Sequence, residues 1–321
     1  MYLELLSRDF HFAKGEIDSN YFNLLLENEI IFECDKKISK LFPPLNETTS
    51  MPYKLAIAVI EVTSLSMESS PKLFGKNFEE DCNIGQLNFV FSDYTDKESI
   101  IMLPKLLSKI EIDTIELTFL KDFKYMDLLF EKIQDFNLII IINNFSDAVI
   151  NNSNNTFNNR MFCDASIKSS KICTDLSTFF ISKNHNPYYY NKMFIGRNSE
   201  IKNSYESSYV FGYLNEIEKL EIDTLLSDKE FTKYWSASKN NTLICNECEF
   251  RRLCNDNRLP IEIDNQKWSH KKECEYNPYI SKWFDDNGYL NLSSSGIELI
   301  NGDVKIKNKK LKDINFKLWG N

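Results

Sequence analysis

With 321 residues, 42% of them apolar, the chain can bury a substantial core; this excludes a disordered polymer and leaves room for two or three folded units. A formal net charge of −9 makes the average surface repel phosphate backbones, so nucleic acid is not an expected partner. The longest aliphatic run, 138–142, falls far short of the roughly 20 apolar residues a membrane span requires, and no secretory signal opens the chain, so a cytoplasmic protein without a membrane partner is expected.

Residues 21–29 carry apolar side chains at helical spacing, and 30–34 read as a short strand. Pro43-Pro44 and the polar run 46–50 then read as a linker. From 53 to 184, short apolar runs alternate with amphipathic stretches, the pattern of an α/β unit with a largely parallel sheet. Expected strands are 55–62, 87–92, 114–120, 138–143 and 178–182; expected helices are 97–110 and 125–136, the latter with Met126, Leu129, Phe130 and Ile133 on one face. The polar repetitive stretch 151–160 reads as a surface loop. Beyond 184 helix signals remain at 213–226 and at 227–235, the second opening on a Ser227 cap with Glu230 three residues later. Lys305, Lys307, Lys309, Lys310 and Lys312 mark the tail as a solvated face.

The chemistry concentrates at Cys245, Cys248, Cys254 and Cys274, spaced C-x2-C-x5-C-x19-C, which are half of the eight cysteines. In a reducing compartment such a cluster points to metal rather than to disulfides. Four crowded thiolates repel one another in a partly desolvated site, and a cation removes that penalty. Four cysteines suit zinc or an iron–sulfur cluster, and the spacing does not choose between them. His270 reads as an exposed histidine, and Cys34, Cys82, Cys163 and Cys173 as small core residues.

Other chemistries find little support. Nine glycines form neither a G-x4-G-K nor a G-x-G-x2-G run, so phosphate cradles of those kinds are not expected. His11, His185 and His270 sit in no recognisable nucleophile setting. Glu79-Glu80 and Asp285-Asp286 adjoin turn-like sequence and read as solvated loops, while Glu247, Glu249 and Asp256 cancel the charge of Arg251-Arg252 as a base-stacking patch.

The run CNECEFRRLCNDNR followed by CEYNPYISKW resembles the C-terminal SPASM region of radical SAM peptide maturases. In particular it is similar to the SPASM protein that accompanies an ATP-grasp ligase in grasp-with-spasm systems. FNLLLENEIIFECD, LFPPLN, HNPYYYNK, SEIKN and FTKYW extend the likeness over most of the chain. The resemblance implies three units: a winged-helix-like remnant with linker (1–50), a degenerate radical-SAM-like partial (β/α) barrel (51–184) and a SPASM-like four-cysteine metal domain (185–321). It implies one auxiliary-type [4Fe-4S] cluster on Cys245, Cys248, Cys254 and Cys274, against the alternative of one Zn2+ in an interaction module. Tyr188, Ser204 and Asn257 stand where the family places cysteines of a first auxiliary cluster, so one cluster is expected. No cysteine falls between Thr63 and Lys76, where a C-x3-C-x2-C motif would follow the first barrel strand, so neither S-adenosylmethionine binding nor radical catalysis is expected. The implied role is maturation of a ribosomally made precursor peptide alongside an ATP-grasp ligase. The start looks short against the family's winged helix, so leader binding along the 30–34 strand is expected to be impaired.

Overall fold

The computed structural model describes residues 19–28, 53–73, 84–109, 114–120, 123–134, 136, 139–144, 156–157, 172, 176–264, 266–300 and 302–320. The chain divides into two compact units, Met1–Thr49 and Ser50–Asn321. In the first, helix α1 (Ser19–Glu27) buries Leu25 and leaves Leu24 and Leu26 exposed. The Asn28 side chain donates to the Leu24 carbonyl at 2.8 Å and closes its end. The strand expected at 30–34 and the Pro43-Pro44 linker lie outside the described residues.

The second unit is built on alternating strands and helices: β1 (Leu55–Glu61), α2 (Ser64–Ser69), β2 (Ile84–Phe91), α3 (Lys97–Leu107), β3 (Thr114–Phe119), α4 (Met126–Ile133), β4 (Ile139–Asn144) and β5 (Thr156–Phe157). Helix α5 (Leu176–Asn184) leads into β6 (Lys192–Ile195), β7 (Glu200–Lys202) and β8 (Gly212–Tyr213). One eight-stranded sheet runs in the order β5-β4-β3-β2-β1-β6-β7-β8. Its first six strands are parallel to their neighbours, and β7 and β8 turn back antiparallel. Strands β1 to β5 step across the sheet in chain order, and right-handed crossovers then place α2, α3 and α4 on one face.

That face holds the core. Ala58, Ile60, Leu87, Phe89, Ile115, Leu117 and Phe119 alternate along the strands and pack with Ile100 and Leu103 of α3 and Leu129 and Ile133 of α4. Phe91 stacks on Phe119 with ring centroids 5.0 Å apart. The opposite face mixes Val59, Val90 and Phe194 with polar groups. There Glu116 accepts from Asn88 Nδ2 at 3.1 Å, and Thr118 Oγ1 donates to Asn88 Oδ1 at 3.0 Å.

The fold is therefore α/β, as expected, with an open sheet whose edges are β5 and β8; among the described residues it does not close into a barrel. Since β6 pairs with β1, the sheet continues past residue 184, where a boundary between units was expected. The strand expected at 178–182 is instead helix α5. Its aromatic and β-branched residues favour a strand locally, but the helix buries Phe179 and lets Ser182 Oγ donate to the Arg252 carbonyl at 2.8 Å. The helix expected over 213–226 breaks into β8, a 3-10 turn at Leu214–Glu216 and the short α6 (Ile222–Ser227), because β8 is drawn into the sheet. Ser227 ends α6 rather than capping a new helix; the Asp228 carboxylate accepts the Phe231 N–H at 2.8 Å, and only a 3-10 turn, Lys233–Ser236, follows. Within the loop expected at 151–160, Thr156–Phe157 pairs with β4.

The remaining chain is short hairpins: β9 (Pro260–Asp264) with β10 (Lys267–His270), β11 (Tyr276–Asn277) with β12 (Lys282–Trp283), and β13 (Ile297–Ile300) with β14 (Asp303–Ile306). Helix α7 (Asn308–Trp319) keeps its lysines exposed and is latched by Asn315 and Trp319, which donate to the carbonyls of Tyr279 and Ile280. No described helix is long and apolar enough to cross a membrane.

Candidate metal centre

Cys245 opens a 3-10 turn, Cys245–Glu247, immediately after Ile244, which has φ 68° and ψ −47°. A β-branched residue in that region is strained, and such strain persists only where the surroundings enforce it. In this turn the Cys248 N–H donates to the Cys245 carbonyl at 3.0 Å. Six residues on, Cys254 is bridged to Ile172, and the Ser182–Arg252 bond ties the intervening loop to α5. The β9–β10 hairpin carries the chain out and back to Cys274, whose sulfur accepts the Tyr276 N–H at 3.4 Å. An amide aimed at sulfur favours the thiolate over the thiol.

Cys245, Cys248, Cys254 and Cys274 are each half-buried, and electrostatic interactions run among them. Burial pushes the Cys248 thiol up, and Cys245 and Cys274 push it further. Burial likewise raises Cys254 well above the ordinary thiol value, with Cys245 and Cys274 adding and Lys239 opposing. Cys274 is raised by burial, against the pull of Arg258. Thiols that feel one another's charge in this way lie in one neighbourhood, and those raised by burial hold their protons until a cation replaces them. An aromatic wall of Phe250, Tyr276 and Trp283 stands beside it, with ring centroids 4.7 to 5.8 Å apart. The Tyr276 hydroxyl donates to Glu249. The remaining cysteines, 34, 82, 163 and 173, lie outside the described residues, as does His11.

Beside the thiols sits a buried ionic group that the sequence did not single out. Asp256 Oδ2 accepts from Lys239 Nζ and from Arg258 Nη2, each at 2.7 Å, and all three side chains are at most 5% exposed. His270, expected at the surface, is also buried, with Nε2 3.1 Å from Lys239 Nζ and 3.2 Å from the Asp256 carboxylate. Burial and the neighbouring Lys239 bring its pKa down to about 3, so the ring is neutral near pH 7 and accepts from the ammonium. Burial alone would raise Asp256, but Arg258 and Lys239 hold it well below the usual carboxylate range. Burial would also lower Lys239, yet Asp256, Cys245 and Cys254 raise it. Two cations thus face one carboxylate.

Donor atoms of Cys245, Asp256 and His270 lie within 4.8 Å of one another, a spacing a metal ion can bridge. The charges argue against that trio as ligands. Both Asp256 oxygens are already taken by Arg258 and Lys239, and a divalent ion there would meet an ammonium and a guanidinium at contact distance. By donor chemistry alone, four cysteines suit a tetrathiolate metal or cluster.

Tyr188, Ser204 and Asn257 also converge. The Tyr188 hydroxyl donates to Glu206 at 3.2 Å and Asn257 Nδ2 donates to it at 3.3 Å. The Tyr189 hydroxyl donates to the Asn257 carbonyl at 2.8 Å and lies against the Ser204 side chain. The segment after β1 folds into α2 behind a capping box in which Thr63 and Ser66 satisfy each other. His185 stacks flat on Tyr190 with centroids 3.9 Å apart, and burial lowers its pKa.

Comparisons with protein-family models, with curated proteins and with solved structures return no match for this chain.

Proposed function

We propose that this chain is a SPASM-type protein that binds one auxiliary-type [4Fe-4S] cluster on Cys245, Cys248, Cys254 and Cys274 and serves in maturation of a ribosomally made peptide beside an ATP-grasp ligase. The observation that supports the reading is the mutual electrostatic influence of these half-buried thiols, with an excess of buried positive charge beside Cys245. A tetrathiolate centre, whether built on a four-iron core or on one zinc ion, is anionic, and buried cations offset that charge. The hydrogen-bonded meeting of Tyr188, Glu206 and Asn257 supports the family reading in particular. Of the three positions that the resemblance marks as cysteines of another cluster, Tyr188 and Asn257 both donate to Glu206, and Ser204 lies beside the neighbouring Tyr189.

A cluster held by four cysteines supplies electron transfer or structural cross-linking, since its irons have no open position for substrate. On this reading the parallel sheet is a degenerate radical-SAM-like partial barrel serving as scaffold, in a cytoplasmic protein. Purified without oxygen, the chain is expected to be brown, to absorb near ~400 nm and to carry about four irons. Colourless protein with about one zinc would replace the cluster with a zinc-stabilised interaction module. Co-purification with a tagged ATP-grasp ligase and its precursor peptide tests the role, and retention of neither partner would overturn it.

A further inference from the structure

We propose that Lys239 and Arg258 form a buried cationic seat that raises the reduction potential of the tetrathiolate centre, with Asp256 positioning both cations rather than ligating metal. The inference rests on the cluster reading above. Lys239 Nζ and Arg258 Nη2 converge on the same carboxylate oxygen, Oδ2 of Asp256, at 2.7 Å each. Arg258 adds Nε at 3.0 Å to Oδ1 and sends Nη1 to the Lys272 carbonyl at 2.6 Å, so its plane is fixed. Lys239 is held from the other side by the neutral His270 ring at 3.1 Å. The Cys245 sulfur lies within 4.8 Å of an Asp256 carboxylate oxygen and of a His270 ring nitrogen, which puts the carboxylate and its two cations beside that thiol, and their charges also act on Cys254 and Cys274.

A lone structural ion pair would need one cation for one carboxylate. Here the second cation leaves a net charge of about +1, placed where water cannot screen it. Four thiolates around a four-iron core in its +2 state carry about −2 in total, and uptake of one electron makes this about −3. A fixed positive charge stabilises the more negative state more, and so favours reduction. The step takes one electron from an external one-electron donor such as dithionite, and no bond forms or breaks.

The test is a dithionite titration followed by electron paramagnetic resonance on the full chain, with iron measured in every sample. Lys239→Met reduces the local charge to about zero and lowers the midpoint, by about tenfold in the reduction equilibrium or about 59 mV. Asp256→Asn raises the charge and the midpoint by a similar amount. The double variant restores the wild-type charge and with it a near wild-type midpoint, and Lys239→Arg keeps it throughout. If Lys239→Met does not fold, Asp256→Asn and Lys239→Arg measured against the wild type carry the same test. A wild-type chain that holds no iron after anaerobic reconstitution overturns the cluster reading and this inference together. Iron-loaded variants whose midpoints do not follow charge overturn this inference alone.

Discussion

The sheet and the cysteine region are held together by different forces. Every buried member of the main apolar cluster lies between Leu55 and Phe231, where side chains of the strands alternate onto helices α2 to α4. Beyond residue 236 the described buried apolar residues are few, Ala237, Ile244, Trp268, Tyr276, Ile280 and Ile297, and buried polar ones outnumber them, Lys239, Asp256, Asn257, Arg258 and Asn277 among them. Two-residue and four-residue hairpins replace the broad sheet. The first region can stand on hydrocarbon burial; the second lacks enough of it to offset the entropy of ordering its loops. On the proposed reading a metal centre supplies the missing contribution, on the order of ~10 kcal/mol where such sites have been measured.

The largest expected effect comes from breaking that centre. Cys248→Ser or Cys274→Ser is expected to abolish metal binding and to expose 240–300 to hydrogen exchange and proteolysis, while β1 to β4 and α3 stay protected. Acid should mimic the substitution. Folded-state burial raises the Cys248, Cys254 and Cys274 thiols, so protons compete with metal, and occupancy falls as pH decreases. Metal content and exchange measured on the same samples decide the matter. A serine variant with unchanged metal and unchanged protection would mean that the two regions share one source of stability.

A core substitution sharpens the contrast from the other side. Phe119 is fully buried and stacks on Phe91, so Phe119→Ala leaves a large cavity beneath α3 and α4. A loss of about 3–5 kcal/mol is expected in urea unfolding of the sheet. Iron per folded molecule should stay near the wild-type value, because the Phe119 ring packs on Phe91 and Phe123 within the sheet's own core. Parallel loss of iron among the molecules that remain folded would show that the sheet shapes the site directly.

The two regions also differ in how much the sequence discloses. Strands β1 to β4 are legible because apolar side chains fall on a period of two or in short runs, and α3 and α4 because theirs fall at helical spacing. Residues 178–182 mislead for the same reason that the strands succeed: Thr178, Phe179, Phe180 and Ile181 favour a strand locally, while packing of Phe179 and Ser182 selects a helix. In the cysteine region the cysteines announce themselves by spacing alone. Lys239, Asp256, Arg258 and His270 do not, since a charged residue in a polar segment reads as solvated until another element closes over it. The pairing of Asp256 with a lysine seventeen positions earlier is a property of the fold, beyond any local pattern.

The smallest effect separates helix capping from metal binding within the sheet unit. Asp96 precedes α3, and its Oδ1 accepts the Ser99 N–H at 2.7 Å, satisfying a donor that the first turn would otherwise leave open. Both carboxylate oxygens also accept from Ser64 Oγ at 2.9 Å, which joins the starts of α2 and α3. Partial burial raises the Asp96 pKa, but the Ser99 N–H and the Ser64 hydroxyl outweigh it and hold the carboxyl below its ordinary value. A depressed folded-state pKa contributes stability that is present above the unfolded value, near ~3.9, and is lost as pH falls through the folded one. Asp96→Ala is therefore expected to cost about 1 kcal/mol at pH 7, read as a lower urea midpoint of the sheet. Asp96→Asn keeps a neutral cap of similar strength, so its deficit at pH 7 should be smaller than that of the alanine variant, and it should lose less stability than the wild type between pH 5 and about 3. Since Asp96 touches α2 and α3 and not the thiols, both variants should retain wild-type iron; a loss of metal in either would carry the influence of this cap across to the cysteine region.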